Sequence, residues 1–270
     1  AGPVSIETLD LQTRLPQTFS ARAILLAAGS LGTTRIALRS FDQYDVAVPF
    51  VCNPHCFIPS LRLAGLGTTS PARQHSLAQL TLIHTPPTHG ADLVQAQMYS
   101  YRSLMSFRLL NDLPLPQRQS LRILRTLIPA LTIWVVQHAD RPSAGKHCRL
   151  RRATDGGIDR LEISYRLTSA ESARNDAAER SIAASMRKLG CWPLKRVQAM
   201  HGSSIHYAGQ LPTTEADRPL TTCVDGRLRG TRNVFVADGA ALSRHRGRDV
   251  RALTWAATTG RLSGAGPHRP

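Results

Sequence analysis

Residues 21–40 read ARAILLAAGSLGTTRIALRS, and the fold class turns on this stretch. Ala21–Ala28 is a short apolar run of the kind that forms a buried parallel strand. Gly29-Ser30-Leu31-Gly32 breaks it, and Thr33–Ser40 then suits a helix with Ile36 and Leu38 among its apolar positions. A helix N-terminus facing a glycine turn at a strand's carboxyl end is a ready place for a phosphate or another anion, although most such joints bind nothing. The last third of the chain returns to this pattern, where Asn233-Val-Phe-Val-Ala-Asp238-Gly239 is an apolar strand that ends in Asp-Gly. An aspartate there can accept hydrogen bonds from a ligand's hydroxyls, or simply cap a turn.

Between these two segments the pattern changes. Leu77–Ile83, Leu93–Tyr101, Leu131–His138 and Arg160–Arg166 are strand candidates, with the clearest alternation at Leu161, Ile163 and Tyr165. Ser103–Leu110 and Gln117–Ile128 are helical stretches. Thr168-Ser-Ala-Glu171 is a capping-box pattern that opens a further helix through Ile182 and Met186 to a stop at Gly190. Several strands with helices to one side predict an α+β layer on a largely antiparallel sheet.

Composition narrows the class. With 270 residues, 42 % of them hydrophobic, the chain can build a core and is not a disordered one. The longest largely apolar stretch, Leu127–Val136, is ten residues, too short for a membrane span. No charged-then-apolar leader is visible, and the chain starts at Ala1 rather than Met, as expected of a trimmed chain or a piece of something longer. The net charge is +16, from 34 basic and 18 acidic residues, a balance that can mark a nucleic-acid binder. Against that reading, the basic residues are spread along the chain, and aromatics, at 5 %, are too few for a base-stacking platform. All the basic residues except Lys146, Lys188 and Lys195 are arginines, which fits an arginine-heavy codon bias better. Five cysteines, an odd number in a chain of this size, argue for reduced thiols and a cytoplasmic setting rather than a disulfide scaffold. Cys52-Asn-Pro-His55-Cys56 brings three potential ligands together, but no second pair completes a zinc set, so no metal site is expected.

Three segments, in this order, resemble the carboxyl-terminal part of the glucose–methanol–choline (GMC) oxidoreductases, flavoenzymes that oxidise alcohols with FAD. Residues 21–40 resemble the family's strand ending in Ala-Ala-Gly, its small-residue turn and its helix, with Thr34 where Pro is frequent and Phe41 where Gly is frequent. GSSIHYAGQLP, residues 202–212, resembles the segment that carries the active-site histidine, with Gln210 in place of the usual Thr. NVFVADGAAL, residues 233–242, looks like the strand that ends beside the flavin. The resemblance covers nearly the whole chain.

It implies an α+β / α/β fold: a partial FAD-binding Rossmann-like domain plus a substrate domain with a largely antiparallel sheet flanked by helices. The division would be residues 1–50 as a segment of the FAD-binding domain, 51–200 as the substrate-binding domain, and 201–270 as the active-site segment returning to the FAD-binding domain. It implies His206 as the catalytic base; Gly29, Ser30, Asp238 and Gly239 as FAD contacts; and a small-molecule alcohol as substrate. The chemistry is consistent, since a neutral imidazole within reach of a hydroxyl can take its proton while hydride leaves the adjacent carbon. His201 reads as a loop histidine.

Two departures stand out. The family's GxGxxG turn for the ADP phosphates does not occur; Gly65-Leu66-Gly67 comes nearest, with Ser70 in the third place. Where the closing helix usually carries His or Asn, three residues before Thr254, this chain has Arg251, whose guanidinium cannot serve as a base. Codons for Gly247–Ala252 can read Val-Thr-Phe-Ala in the next frame, so a local frameshift is one account of that Arg. Two other readings stay open: a decayed paralogue or non-catalytic binding module of the same fold, and a basic nucleic-acid-binding protein.

Overall fold

A computed structural model describes residues 2–68, 77–86, 92–101, 110–111, 114–154, 157–243 and 245–246. Its strands are β1 (Val4–Leu9), β2 (Pro16–Ala21), β3 (Ile24–Leu26), β4 (Val48–Pro49), β5 (His55–Arg62), β6 (Leu80–His84), β7 (Val94–Ser100), β8 (Leu131–Gln137), β9 (Ala139–Asp140), β10 (Lys146–Arg151), β11 (Arg160–Tyr165), β12 (Cys191–Pro193), β13 (Val197–Gln198), β14 (Val234–Val236) and β15 (His245–Arg246). The helices are α1 (Ser30–Ser40), α2 (Gln117–Leu127) and α3 (Ser169–Lys188). The expected helix over 103–110 lies, apart from its last residue, outside the described residues, as do Ser70, Arg251 and the stretch 247–252.

The two strand-and-turn segments, 21–29 and 233–239, share one sheet. β3 and β14 pair in parallel with Ile24 opposite Val234 and Leu26 opposite Val236, so Gly29 and Asp238 follow their strands at the same end. The strand is shorter than the apolar run suggests. Ala21 ends β2, which pairs antiparallel with β1, and only Ile24–Leu26 joins β14. Nor is it buried on both faces: Leu26 is buried, whereas Leu25 is 52 % exposed. α1 begins at Ser30, a turn earlier than expected, because Gly29, with φ +76°, is already its N-terminal flank. The helix lays Ala37 and Leu38 into a core that also holds Val48, Leu150, Leu211 and Val236. That core draws on β4, on β10 paired with β11, and on the chain after residue 208.

The middle of the chain forms a mostly antiparallel sheet in the order β12-β5-β8-β7-β6, with β13 also on β5. β5 alternates, turning Cys56, Ile58 and Ser60 inward and His55 and Phe57 towards the other face. α3 packs Ala178, Ile182 and Met186 against Cys56, Ile58, Trp134 and Val136. It starts where the sequence indicates: Thr168 Oγ1 accepts from the Glu171 N–H, and Glu171 returns the bond from the Thr168 N–H at 2.8 Å. Among the described residues no helix is long and apolar enough to cross a membrane.

Candidate functional site

Two turns meet at the carboxyl end of the β3–β14 pair. At the first, Gly29 leads into α1, whose first turn has no acidic residue and no side-chain cap. The N–H groups of Ser30, Leu31 and Gly32 precede the first intrahelical bond, in which the Thr33 N–H donates to the Gly29 carbonyl. Among the described residues nothing lies within 4 Å of where a Gly29 side chain would project. At the second turn, Asp238 accepts from the Thr33 hydroxyl (2.5 Å), from the Ala240 N–H (2.9 Å) and from the Gly29 N–H. Its carboxylate therefore ties the two turns together and caps the short turn Gly239–Ala241. Burial pushes the Asp238 carboxyl above its ordinary value, against the opposing pull of the Thr33 hydroxyl.

The histidine segment is laced to the second turn by backbone bonds. Gly209, Leu211 and Thr213 donate their N–H groups to Gly239, Ala240 and Ala241 at 2.9–3.1 Å. Ala208 and Val51 exchange both bonds at 2.9 Å, fixing the other side. The approach is close enough that a Cβ on Gly239 would sit 2.7 Å from the Tyr207 carbonyl oxygen. The Ser30 hydroxyl donates to Gln210 Oε1 at 2.5 Å, and among the described residues the Nε2 of the fully buried Gln210 has no partner. Three backbone N–H groups, open space at Gly29 and an orphaned amide donor form a donor set that suits an anionic or carbonyl-bearing group of a cofactor.

Gly29, Ser30, Asp238 and Gly239 thus come together. His206 does not join them directly. It is half-buried, its N–H donates to Ser204 Oγ at 3.0 Å, and it lines a separate cleft of about 200 Å³ with Asn53, His55, Gln137, Ser204 and Ile205. Connection to the turns runs through the adjacent Tyr207 backbone. Asn53, His55 and Gln137 were not legible as cleft residues. His55 and Gln137 face one another across the β5–β8 ladder, eighty-odd positions apart in sequence, so no local pattern pairs them. The Cys52-His55-Cys56 cluster is pulled apart by the same alternation: Cys56 is in the core, Cys52 Sγ points at the Ser204 carbonyl, and His55 Nδ1 contacts the Asn53 carbonyl at 3.1 Å.

A buried charge network reaches the Cys52 backbone. Lys146 Nζ donates to Asp140 Oδ1 (2.5 Å) and Glu171 Oε1 (2.6 Å), and Asp140 Oδ2 accepts from Tyr165 Oη and the Cys52 N–H at 2.9 Å each. Burial raises the Asp140 carboxyl despite Lys146, whereas the Lys146 and Thr168 bonds outweigh burial at Glu171 and lower it. A second cluster joins α3 to the sheet. His138 Nε2 donates to Glu179 Oε1 at 3.1 Å, while Arg196 and Gln198 donate to Oε2 at 3.0 and 2.7 Å. Burial would raise Glu179, but these donors hold it below its ordinary value.

No protein-family model and no curated protein matches the chain. Its structure is similar to that of pyridoxine 4-oxidase from Mesorbium loti, with a TM-score of 0.60 and 12 % sequence identity, over 98 % of this chain and 55 % of that one. The two share a fold. The chain spans about half the length of that oxidase.

Proposed function

We propose that the chain is the carboxyl-terminal portion of a GMC-type, FAD-dependent oxidoreductase acting on the CH–OH group of a small-molecule alcohol. Residues 1–50 and 201–270 would belong to the FAD-binding domain and 51–200 to the substrate domain. The observation that carries the reading is the meeting of the Gly29 and Asp238 turns at one end of a parallel strand pair, with the His206 segment hydrogen-bonded along the second turn. The likeness in fold to an oxidase supports it. Five free cysteines, four of them buried, fit a cytoplasmic setting.

FAD, when bound, supplies the acceptor for the hydride, two electrons with the carbon-bound hydrogen. The N–H groups of Ser30, Leu31 and Gly32 and the orphaned Gln210 amide would hold polar groups of that cofactor. Gly29 provides room for close approach, and Gly239 keeps its turn tight against the Tyr207 backbone. Asp238 acts through the chain, holding the two turns in register. His206 takes the hydroxyl proton in the cleft, leaving an aldehyde or ketone once the carbon has lost hydride. The test is to fuse the chain behind an amino-terminal FAD-binding segment carrying a GxGxxG turn and add alcohols without oxygen. Alcohol-dependent bleaching of the flavin is expected, and a flavin that binds but never bleaches with any alcohol contradicts the reading.

A further inference from the structure

His55 opens β5 and stands opposite Gln137, the last residue of β8, so the two side chains leave the sheet on one face and enter the His206 cleft side by side. The His55 ring is held edge-on against Phe57, with centroids 5.1 Å apart and planes at 86°. Its Nδ1 lies 3.1 Å from the Asn53 carbonyl oxygen. A carbonyl only accepts, so in the neutral ring the proton sits on Nδ1 and Nε2 presents a lone pair. Among the described residues nothing donates to that Nε2. It is an acceptor open to the cleft, where water or a ligand can donate to it.

The rest of the cleft points the same way. Asn53, Gln137 and Ser204 give the cleft a polar lining, with Ser204 Oγ accepting from the His206 N–H, and among the described residues the one apolar side chain, Ile205, is 78 % exposed and offers little cover to an alkyl chain. At about 200 Å³ the cleft has the volume share of roughly seven waters. We propose that His55 is a specificity-determining residue: through Nε2 it accepts a hydrogen bond from a second donor group on the substrate, so the site takes small polyhydroxy alcohols in preference to simple alkyl alcohols. This rests on the reading that the cleft at His206 receives the alcohol. A diol or triol can give one hydroxyl to His206 and another to His55, whereas a monohydroxy alkyl alcohol leaves Nε2 to water and gains no second bond. One such bond is worth roughly tenfold in affinity.

The chain labelled with ¹⁵N-histidine tests this without any cofactor. Long-range ¹H–¹⁵N correlation is expected to show the neutral His55 ring in the Nδ1–H tautomer. Glycerol should shift the His55 and His206 ring signals together and saturably, with 1-propanol weaker by roughly tenfold. His55→Phe, which keeps a ring against Phe57, should reduce the glycerol response at His206 to that of propanol. Finding the Nε2–H tautomer overturns the proposal without recourse to any variant, and so do equal responses to the two probes or an undiminished glycerol preference in His55→Phe. Selective glycerol binding upholds it whether or not the FAD-loaded fusion oxidises glycerol, since that separate result bears on the role of His206.

Discussion

Lys146 is 1 % exposed, and its ammonium is flanked by Asp140 and Glu171. Removing one partner of such a pair leaves an uncompensated buried charge, so Lys146→Met should cost about 3–5 kcal/mol in urea unfolding. An unchanged midpoint would mean that the network is wet. Glu179 and Glu171 make stability depend on pH in a known direction. Their folded carboxyls lie below the ordinary value of 4.5, so the stability they confer is complete above that pH and is lost as pH falls through the folded values. Asp140 and Asp238, raised by burial, work the other way and gain on protonation. Glu179→Gln should therefore flatten the acid limb of stability below the ordinary value of 4.5, and an acid limb identical to wild type would sink the assignment. Burial also pushes the thiols up, Cys52 to about 11 and Cys56 and Cys148 to about 12, while Cys191 is buried too. Ellman's reagent should accordingly titrate Cys223 alone in the native chain and all five cysteines in denaturant; rapid reaction of the four buried thiols would contradict the packing. Of the cleft, only His206 was legible in the sequence, because a local motif surrounds it. His55 was visible only as a potential metal ligand, since its role depends on Gln137 arriving across the sheet.

The elements were more legible than the residues. The capping box announced the start of α3, and the expected strands over the middle of the chain appear within a few residues as β6, β7, β8 and β11. The β1–β2 hairpin was not legible, and the reason is physical. β2 is exposed at every position and β1 at most, so no face is buried and no alternation is imprinted on the sequence. Its turn is organised instead by Asp10, whose carboxylate accepts from the N–H groups of Gln12 and Thr13 at 2.8 Å. The span of β3 was overread for a related cause: an apolar run does not say where one ladder ends and the next begins. Among these elements the contact between the Asp238 turn and the histidine segment is what links the two candidate sites. Gly239→Ala should force the turn away from the Tyr207 carbonyl, costing about 1–3 kcal/mol and shifting the His206 ring signals. A variant of full stability with unmoved His206 signals would show that the contact is looser than 2.7 Å implies.

Across the molecule, the two cores divide the work. One gathers α1, β14, β4 and β10 beneath the paired turns, and the other clamps α3 onto the large sheet that supplies the His55 side of the cleft. The order of three short motifs along the chain indicated that architecture, whereas composition alone indicated only a basic, cored chain. Because the chain carries no GxGxxG turn, it is expected to purify with little or no FAD, and absorbance of a yellow protein near one flavin per chain would refute that. The proposed chemistry turns on His206. Its role is read out by the rate of anaerobic flavin reduction by a small polyol in the FAD-loaded fusion, compared between wild type and His206→Ala. A loss of about 10²–10⁴-fold with FAD still bound is expected of a general base; equal rates in the two proteins would rule that role out.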